Sequence, residues 1–196
     1  MDNKGIINNR ISEHLLVMQE LQKDGSLLEI LSKAATKIID SFQGGNSVYF
    51  CGNGGSAADA QHLAAEFSGK FYIDRPVLPS EALHCNSSYM TAVSNDYSYD
   101  IVYARLISGI GRSGDVLVGL STSGNSRNVI EAFNVCRDKG IYTVALLGNG
   151  GGKMAKLADY CLIVPSNNTP RIQEMHIMLG HILCEIVESS IFGGKK

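Results

Sequence analysis

Charge is scarce in this chain. Asp, Glu, Lys and Arg make up 18% of it, below the ~25% of an average soluble protein. What charge there is nearly cancels, 17 basic residues against 19 acidic, for a net charge of −2. No basic surplus exists to grip nucleic acid or an anionic membrane, so neither is expected as a partner. With 44% hydrophobic residues, the chain is no disordered segment. Proline is scarcer still, 4 residues against 21 glycines. Glycine in excess without proline points to tight loops between regular elements rather than to linkers. No two of the five cysteines, Cys51, Cys85, Cys136, Cys161 and Cys184, form a C-x-x-C pair. The odd count, with Cys51 and Cys161 inside apolar runs, reads as buried thiols in a reducing compartment. The opening MDNKGIINNRISEHL is polar where a signal peptide is apolar. No uninterrupted run of 18 apolar residues is present to span a bilayer. A cytoplasmic location follows as the expectation. The length of 196 residues corresponds to about one domain at ~150 residues per domain.

What is present has two periods. Residues 5–43 read as two helices broken at Lys23-Asp24-Gly25. In the second, Leu27, Leu28, Ile30, Leu31, Ala34, Ile38, Ile39 and Phe42 recur every three or four residues, with Ser26 as the expected cap and Gly44-Gly45 as the stop. The first carries Ile11, Leu15, Leu16 and Met18 as a stripe ahead of the main body, suited to a partner subunit. From residue 47 short apolar runs alternate with helical stretches. Strands are expected at 47–51, 81–84, 115–120, 142–147 and 160–164. Helices are expected at 56–68, 87–94, 101–110, 126–139, 153–157 and 170–192. Continuous apolar strands alternating with helices predict a parallel sheet covered on both faces, an α/β three-layer fold. Ligands in such folds sit at the C-terminal ends of the strands.

Glycine- and hydroxyl-rich segments follow those strands. Ser121-Thr122-Ser123-Gly124-Asn125-Ser126 leaves a strand and enters a helix, with four hydroxyls in six residues. Backbone N–H groups at a helix start and the helix dipole favour an anion such as phosphate. A helix cap alone needs one hydroxyl, not four. Gly52-Asn53-Gly54-Gly55-Ser56-Ala57 matches the dinucleotide pattern G-x-G-x-x-A. The helix after it, however, bears His62 and Glu66, which a pyrophosphate site does not need. Residues 148–153 miss the P-loop spacing by one, and Met154 stands where a hydroxyl is required, so a nucleotide triphosphatase is rejected.

His62 and Glu66 are four apart and share a helix face. Gln173 and His181 lie eight apart on the last helix, ~12 Å at 1.5 Å per residue. Two imidazoles, a carboxylate and an amide oxygen suit Zn²⁺. A Glu beside them also suits proton transfer next to a carbonyl. Each residue alone also fits an ordinary core or solvated position, and His14, His84 and His176 carry no motif. Residue chemistry alone reaches a phosphate-ligand α/β domain with a metal or acid–base site.

Residues 51–66 (CGNGGSAADAQHLAAE), Ser94-Asn95-Asp96, Ser121 to Ser126 and Arg171-Ile172-Gln173-Glu174-Met175-His176 through His181 together resemble the sugar isomerase (SIS) domain family. The likeness is nearest to its phosphoheptose isomerases, and it runs over nearly the whole chain. The resemblance implies a flavodoxin-like sheet of five parallel strands, with 1–196 as a single SIS domain and 1–45 as a helical extension. It implies a homotetramer whose active sites form where subunits meet. Asn53, Gly54, Gly55, Asn95, Asp96, Ser121, Thr122, Ser123 and Ser126 would line the phosphosugar site, together with Glu66 and Gln173. His62, Glu66, Gln173 and His181 would hold one zinc per subunit, and Glu66 and His181 would be the catalytic pair. The implied reaction converts sedoheptulose 7-phosphate to D-glycero-D-manno-heptose 7-phosphate through an enediol, for bacterial surface polysaccharide. A non-catalytic SIS relative that binds a replication initiator is also similar, but lacks counterparts of Glu66 and His181. Phosphosugar-sensing regulators of the family usually carry a DNA-binding segment, and no basic recognition helix is seen here.

Overall fold

Short runs of three to six residues, most of them apolar, form the sheet. In the computed structural model, which describes residues 2–194, the strands are β1 (Val48–Cys51), β2 (Ser80–Ala82), β3 (Val116–Ser121), β4 (Tyr142–Leu147) and β5 (Tyr160–Ile163). All pairings are parallel, in the order β2-β1-β3-β4-β5. This is the flavodoxin-like order, with its switch point between β1 and β3. β3 is buried at all six positions, as a central strand under two helical layers must be.

The helices are α1 (Asn3–Lys23), α2 (Gly25–Gln43), α3 (Gly55–Ser68), α4 (Ser87–Asp96), α5 (Val102–Ile110), α6 (Arg127–Lys139) and α7 (Thr169–Phe192). Side chains alternate along each strand, so β3 feeds two cores. Val116, Val118 and Leu120 join α2, α3 and α7 on one face. Leu117 joins Tyr103, Ile107, Val129 and Phe133 from α5 and α6 on the other. The three-layer α/β architecture is the one expected. Gly119 also faces α6, where a Cβ would lie 2.7 Å from both Phe133 Cε1 and Val129 Cγ1. Glycine therefore sets how closely α6 approaches β3.

Several local expectations are corrected. Asp24, not Ser26, caps α2, its carboxylate accepting the Leu27 N–H at 3.0 Å, so the helix starts two residues earlier. β2 ends at Ala82, opposite Phe50; Leu83 and His84 form a turn, with the Leu83 N–H still donating to the Phe50 carbonyl at 2.9 Å. Met154–Lys156 is a 3₁₀ turn rather than a helix. Cys51, Cys136 and Cys184 are buried, but Cys85 is exposed. α7 is long and apolar enough, by length and composition, to cross a membrane. Here its apolar side packs into the core beside α2 and α3. α1 divides its stripe. Leu21 is buried and Val17 and Met18 pack on the core, whereas Ile6, Ile7, Ile11, Leu15 and Leu16 are 48–60% exposed. Two polar contacts tether it to the start of α7. Arg171 Nη1 donates to the Arg10 carbonyl at 2.6 Å, and His14 Nδ1 meets Glu174 Oε2 at 2.8 Å.

Gly119→Val is expected to lower stability by about 1–3 kcal/mol, the usual cost of overpacking. It should appear as a lower urea midpoint at unchanged m-value.

Candidate active site

Two loops flank the β1/β3 switch point. The first, Gly52-Asn53-Gly54, joins β1 to α3. At Gly52 a Cβ would lie 2.5 Å from the Ser56 carbonyl oxygen, and Gly54 has φ +55°. Both positions need glycine, for space and for a left-handed backbone respectively. Asn53 does not hang free over the cleft. Its Nδ2 donates to Asn128 Oδ1, and Asn128 Nδ2 donates back to Asn53 Oδ1, each at 2.9 Å. Tyr99 also donates to Asn53 Oδ1, at 2.8 Å. Buried Tyr103 donates to the Gly52 carbonyl at 2.5 Å, and burial pushes its phenol pKa up. Asn128, Tyr99 and Tyr103 were not picked out from the sequence. The four-residue spacing of the two tyrosines was the available signal.

The second loop follows β3. Ser121 and Ser126 bond to each other through their hydroxyls at 2.8 Å, and Ser126 makes no side-chain cap to α6. The Val129 N–H is taken instead by Asn128 Oδ1 at 3.0 Å. The serine hydroxyls therefore bond to each other and not to the start of α6. Gly124 has φ +62°, and a Cβ there would strike the Gly151 carbonyl. Its carbonyl accepts the Met154 N–H at 3.0 Å, and Asn125 Oδ1 accepts the Lys153 N–H at 3.2 Å. The glycine-rich 148–152 segment thus buttresses the hydroxyl loop. Thr122 is half-buried and Ser123 exposed. With the start of α6 they place hydroxyls beside helix N-terminal N–H groups, donors of the kind that suit an anion. Asn95 and Asp96, at the end of α4, bond to each other at 2.9 Å. No hydrogen bond among the described residues joins them to either loop.

α3 and α7 lie side by side on one sheet face and run parallel. Gln173 packs on Gly55 and Gly180 on Leu63, and His181 lies beside His62. Gly180 permits this closeness, since a Cβ there would lie 2.6 Å from Leu63 Cδ2 and 3.0 Å from its Cγ. His62 Nε2 and His181 Nε2 are 2.9 Å apart, and Glu66 Oε1 lies 3.1 Å from His62 Nε2. Ligand atoms of His62, Glu66 and His181 all fall within 4.8 Å of one another. Two ring nitrogens and a carboxylate oxygen so close together favour a shared cation and fit Zn²⁺ by donor type. Gln173 occupies the same seam, two turns earlier, against Gly55.

Asp59 is a charged neighbour of this cluster that the sequence reading missed. Its Oδ2 is buried without a hydrogen-bond partner. Burial raises its pKa, while His62 and His181 pull it back down. Its place one turn before His62 was the signal. His176 is fully buried. Burial drives its pKa down to about 4 against the opposing Leu147 backbone, so it is a neutral core imidazole.

A family model described as SIS domain matches residues 13–148. The chain belongs to the SIS domain family. Phosphoheptose isomerase from Aneurinibacillus thermoaerophilus is 50% identical over 189 residues, 96% of each chain. Phosphoheptose isomerase GmhA from Neisseria gonorrhoeae superposes with a TM-score of 0.89 at 40% identity, covering 95% of this chain and 98% of that one. A phosphoheptose isomerase from Francisella tularensis gives 0.92 at 31% identity, covering 96% and 100%. The likeness to phosphoheptose isomerases therefore spans this SIS chain from its helical start through α7.

Gly180→Val is expected to push α7 off Leu63 and separate His181 from His62. The ring signals of both histidines in ¹H–¹⁵N NMR should shift from their wild-type positions, because a packed seam cannot take up the added volume without moving its side chains.

Proposed function

We propose that this protein is an aldose–ketose isomerase that converts sedoheptulose 7-phosphate to D-glycero-D-manno-heptose 7-phosphate. The observation that carries this reading is the His62, Glu66 and His181 cluster, on the helix that leaves the switch-point glycine loop and on its parallel neighbour. A purely binding or sensing SIS protein has no need of a carboxylate held 3.1 Å from an imidazole.

In this reading the phosphate rests on the hydroxyls of Ser121, Thr122, Ser123 and Ser126 and on the N-terminus of α6. Asn53, Gly54, Gly55, Asn95, Asp96 and Gln173 line the sugar chain. Glu66 takes the proton from C1 and returns it to C2 of the enediol. His181 moves the proton between the two sugar oxygens, so that the C2 carbonyl becomes a hydroxyl and C1 becomes the aldehyde. His62, Glu66 and His181 would hold one zinc ion, with Gln173 contributing an amide oxygen. When bound there, zinc supplies Lewis-acid polarisation of the carbonyl and order in the site. Residues 1–196 would act as one SIS domain in the cytoplasm, with 1–45 as its helical extension. The product would feed synthesis of bacterial surface polysaccharide. The exposed Ile6, Ile7, Ile11, Leu15 and Leu16 of α1 support self-association, since each fully buried side chain would contribute ~2 kcal/mol; a copy number of four is what the family resemblance implies.

Incubating the protein with sedoheptulose 7-phosphate and following the aldose by NMR tests the reaction. An absence of aldose at enzyme concentrations near the substrate's own would refute it. Glu66→Gln should fold normally yet lose at least ~10²-fold in kcat, the minimum for an essential base; a rate within tenfold of wild type would remove Glu66 from the mechanism. Ile11→Glu with Leu16→Glu should lower the mass seen by light scattering, because charges then replace the apolar contact. A native mass for that variant would exclude α1 from the interface.

A further inference from the structure

Arg75 and Glu188 form an ion pair at 2.8 Å whose side chains are 1% and 2% exposed. Neither belongs to the site described above, and each has more partners than a simple pair needs. Glu188 accepts three successive backbone N–H groups, from Phe71, Tyr72 and Ile73, at 2.6–3.0 Å, as well as Arg75 Nε. Those bonds hold its carboxyl below the usual range although burial pushes it up. Arg75 Nη2 donates to the carbonyl of Glu66 at 2.8 Å. Its Nη1 donates to the carbonyls of Phe67 at 2.8 Å, Gly69 at 3.3 Å and Pro76 at 3.0 Å. Arg75 therefore satisfies the carbonyls at the C-terminal end of α3, where no further turn exists to do so.

The pair thus grips both halves of the proton-transfer geometry. On one side it fixes the backbone of Glu66 itself. On the other, Glu188 fixes the backbone of Phe71, whose ring lies 5.7 Å from the ring of His181 at 36°. Glu188 is also two turns beyond His181 on the same helix, so the clamp joins α3 to α7 below the cluster. Lysine cannot reproduce this, because one ammonium does not offer the planar fork that reaches Glu188 and several carbonyls together.

We propose that Arg75 and Glu188 are positioning residues of the isomerisation: their buried pair sets Glu66 through its carbonyl and His181 through Phe71. The proposal rests on Glu66 and His181 being the proton-transfer pair. It touches none of the phosphate-loop residues, so it predicts a loss in kcat with little change in KM.

The test compares wild type, Arg75→Lys and Phe71→Leu. Each is assayed for sedoheptulose 7-phosphate turnover per folded molecule, for its urea midpoint, and for the histidine ring signals by ¹H–¹⁵N NMR. Arg75→Lys should lose at least tenfold in kcat, a modest effect beside the ~10²-fold that a 1 Å misplacement can cost, with KM within twofold. Phe71→Leu should lose at least threefold, and the His181 ring signals should shift in both. A merely structural pair would lower the urea midpoint and leave both kcat per folded molecule and the His181 signals unmoved; that result overturns the proposal. Should Arg75→Lys fail to fold, Phe71→Leu decides by the same criteria. A wild type without turnover defeats the isomerase reading, and the His181 signals then decide the positioning claim alone.

Discussion

The close approach of α3 and α7 governs the site. Both helices leave strand ends of one parallel sheet, pack on the same face and run in the same direction. Their distance is set where Gly180 rests on Leu63, a contact with no room for a Cβ. Residues 119 apart in sequence, His62 and His181, come within 2.9 Å as a result. The Arg75–Glu188 pair lies at the lower end of the same seam, and Gln173 on Gly55 at its upper end. A change in helix separation would be felt at all of these points, because packed interiors do not stretch continuously.

The two loops at the switch point are held by a different principle. Neither the glycine loop nor the hydroxyl loop contains a lysine or arginine, so an anion there is met by neutral donors and a helix N-terminus. Neutral donors must be well aimed to be effective, and the surroundings aim them. Reciprocal Asn53–Asn128 amides tie the glycine loop to the first turn of α6, while the 148–152 segment backs the hydroxyl loop through Gly124. Under the proposed function, a phosphate bound this way would orient a long sugar, and binding energy remote from the reacting carbons would then be used at the carbonyl. Such a site matches a chain with a net charge of only −2.

The role of α1 divides in the same physical terms. Its C-terminal turns, with Val17, Met18 and Leu21, complete the core under α7. Its N-terminal turns leave aliphatic side chains in water, and the Arg171 and His14 contacts fix the angle at which that stripe is presented.

Local chemistry was legible from the residues in order. The three- and four-residue spacing in 27–42 marked α2, the apolar runs marked the strands, and the four hydroxyls of 121–126 were placed at a strand-to-helix turn, as the alternation of runs implied. His62 and Glu66 could be paired because a helix turn of 3.6 residues puts them on one face. Ser26 was the wrong cap, since Asp24 and Ser26 both suit the role and only the backbone path chooses between them. That His181 joins His62 and Glu66, that Asp59 is stranded beside them, and that Arg75 meets Glu188 across 113 residues were decided by tertiary structure. Periodicity and capping act over one or two turns of chain and are written in residue spacing. Which helices share a sheet face, and how near a glycine lets them come, depends on strand order and on packing between segments that no local pattern links.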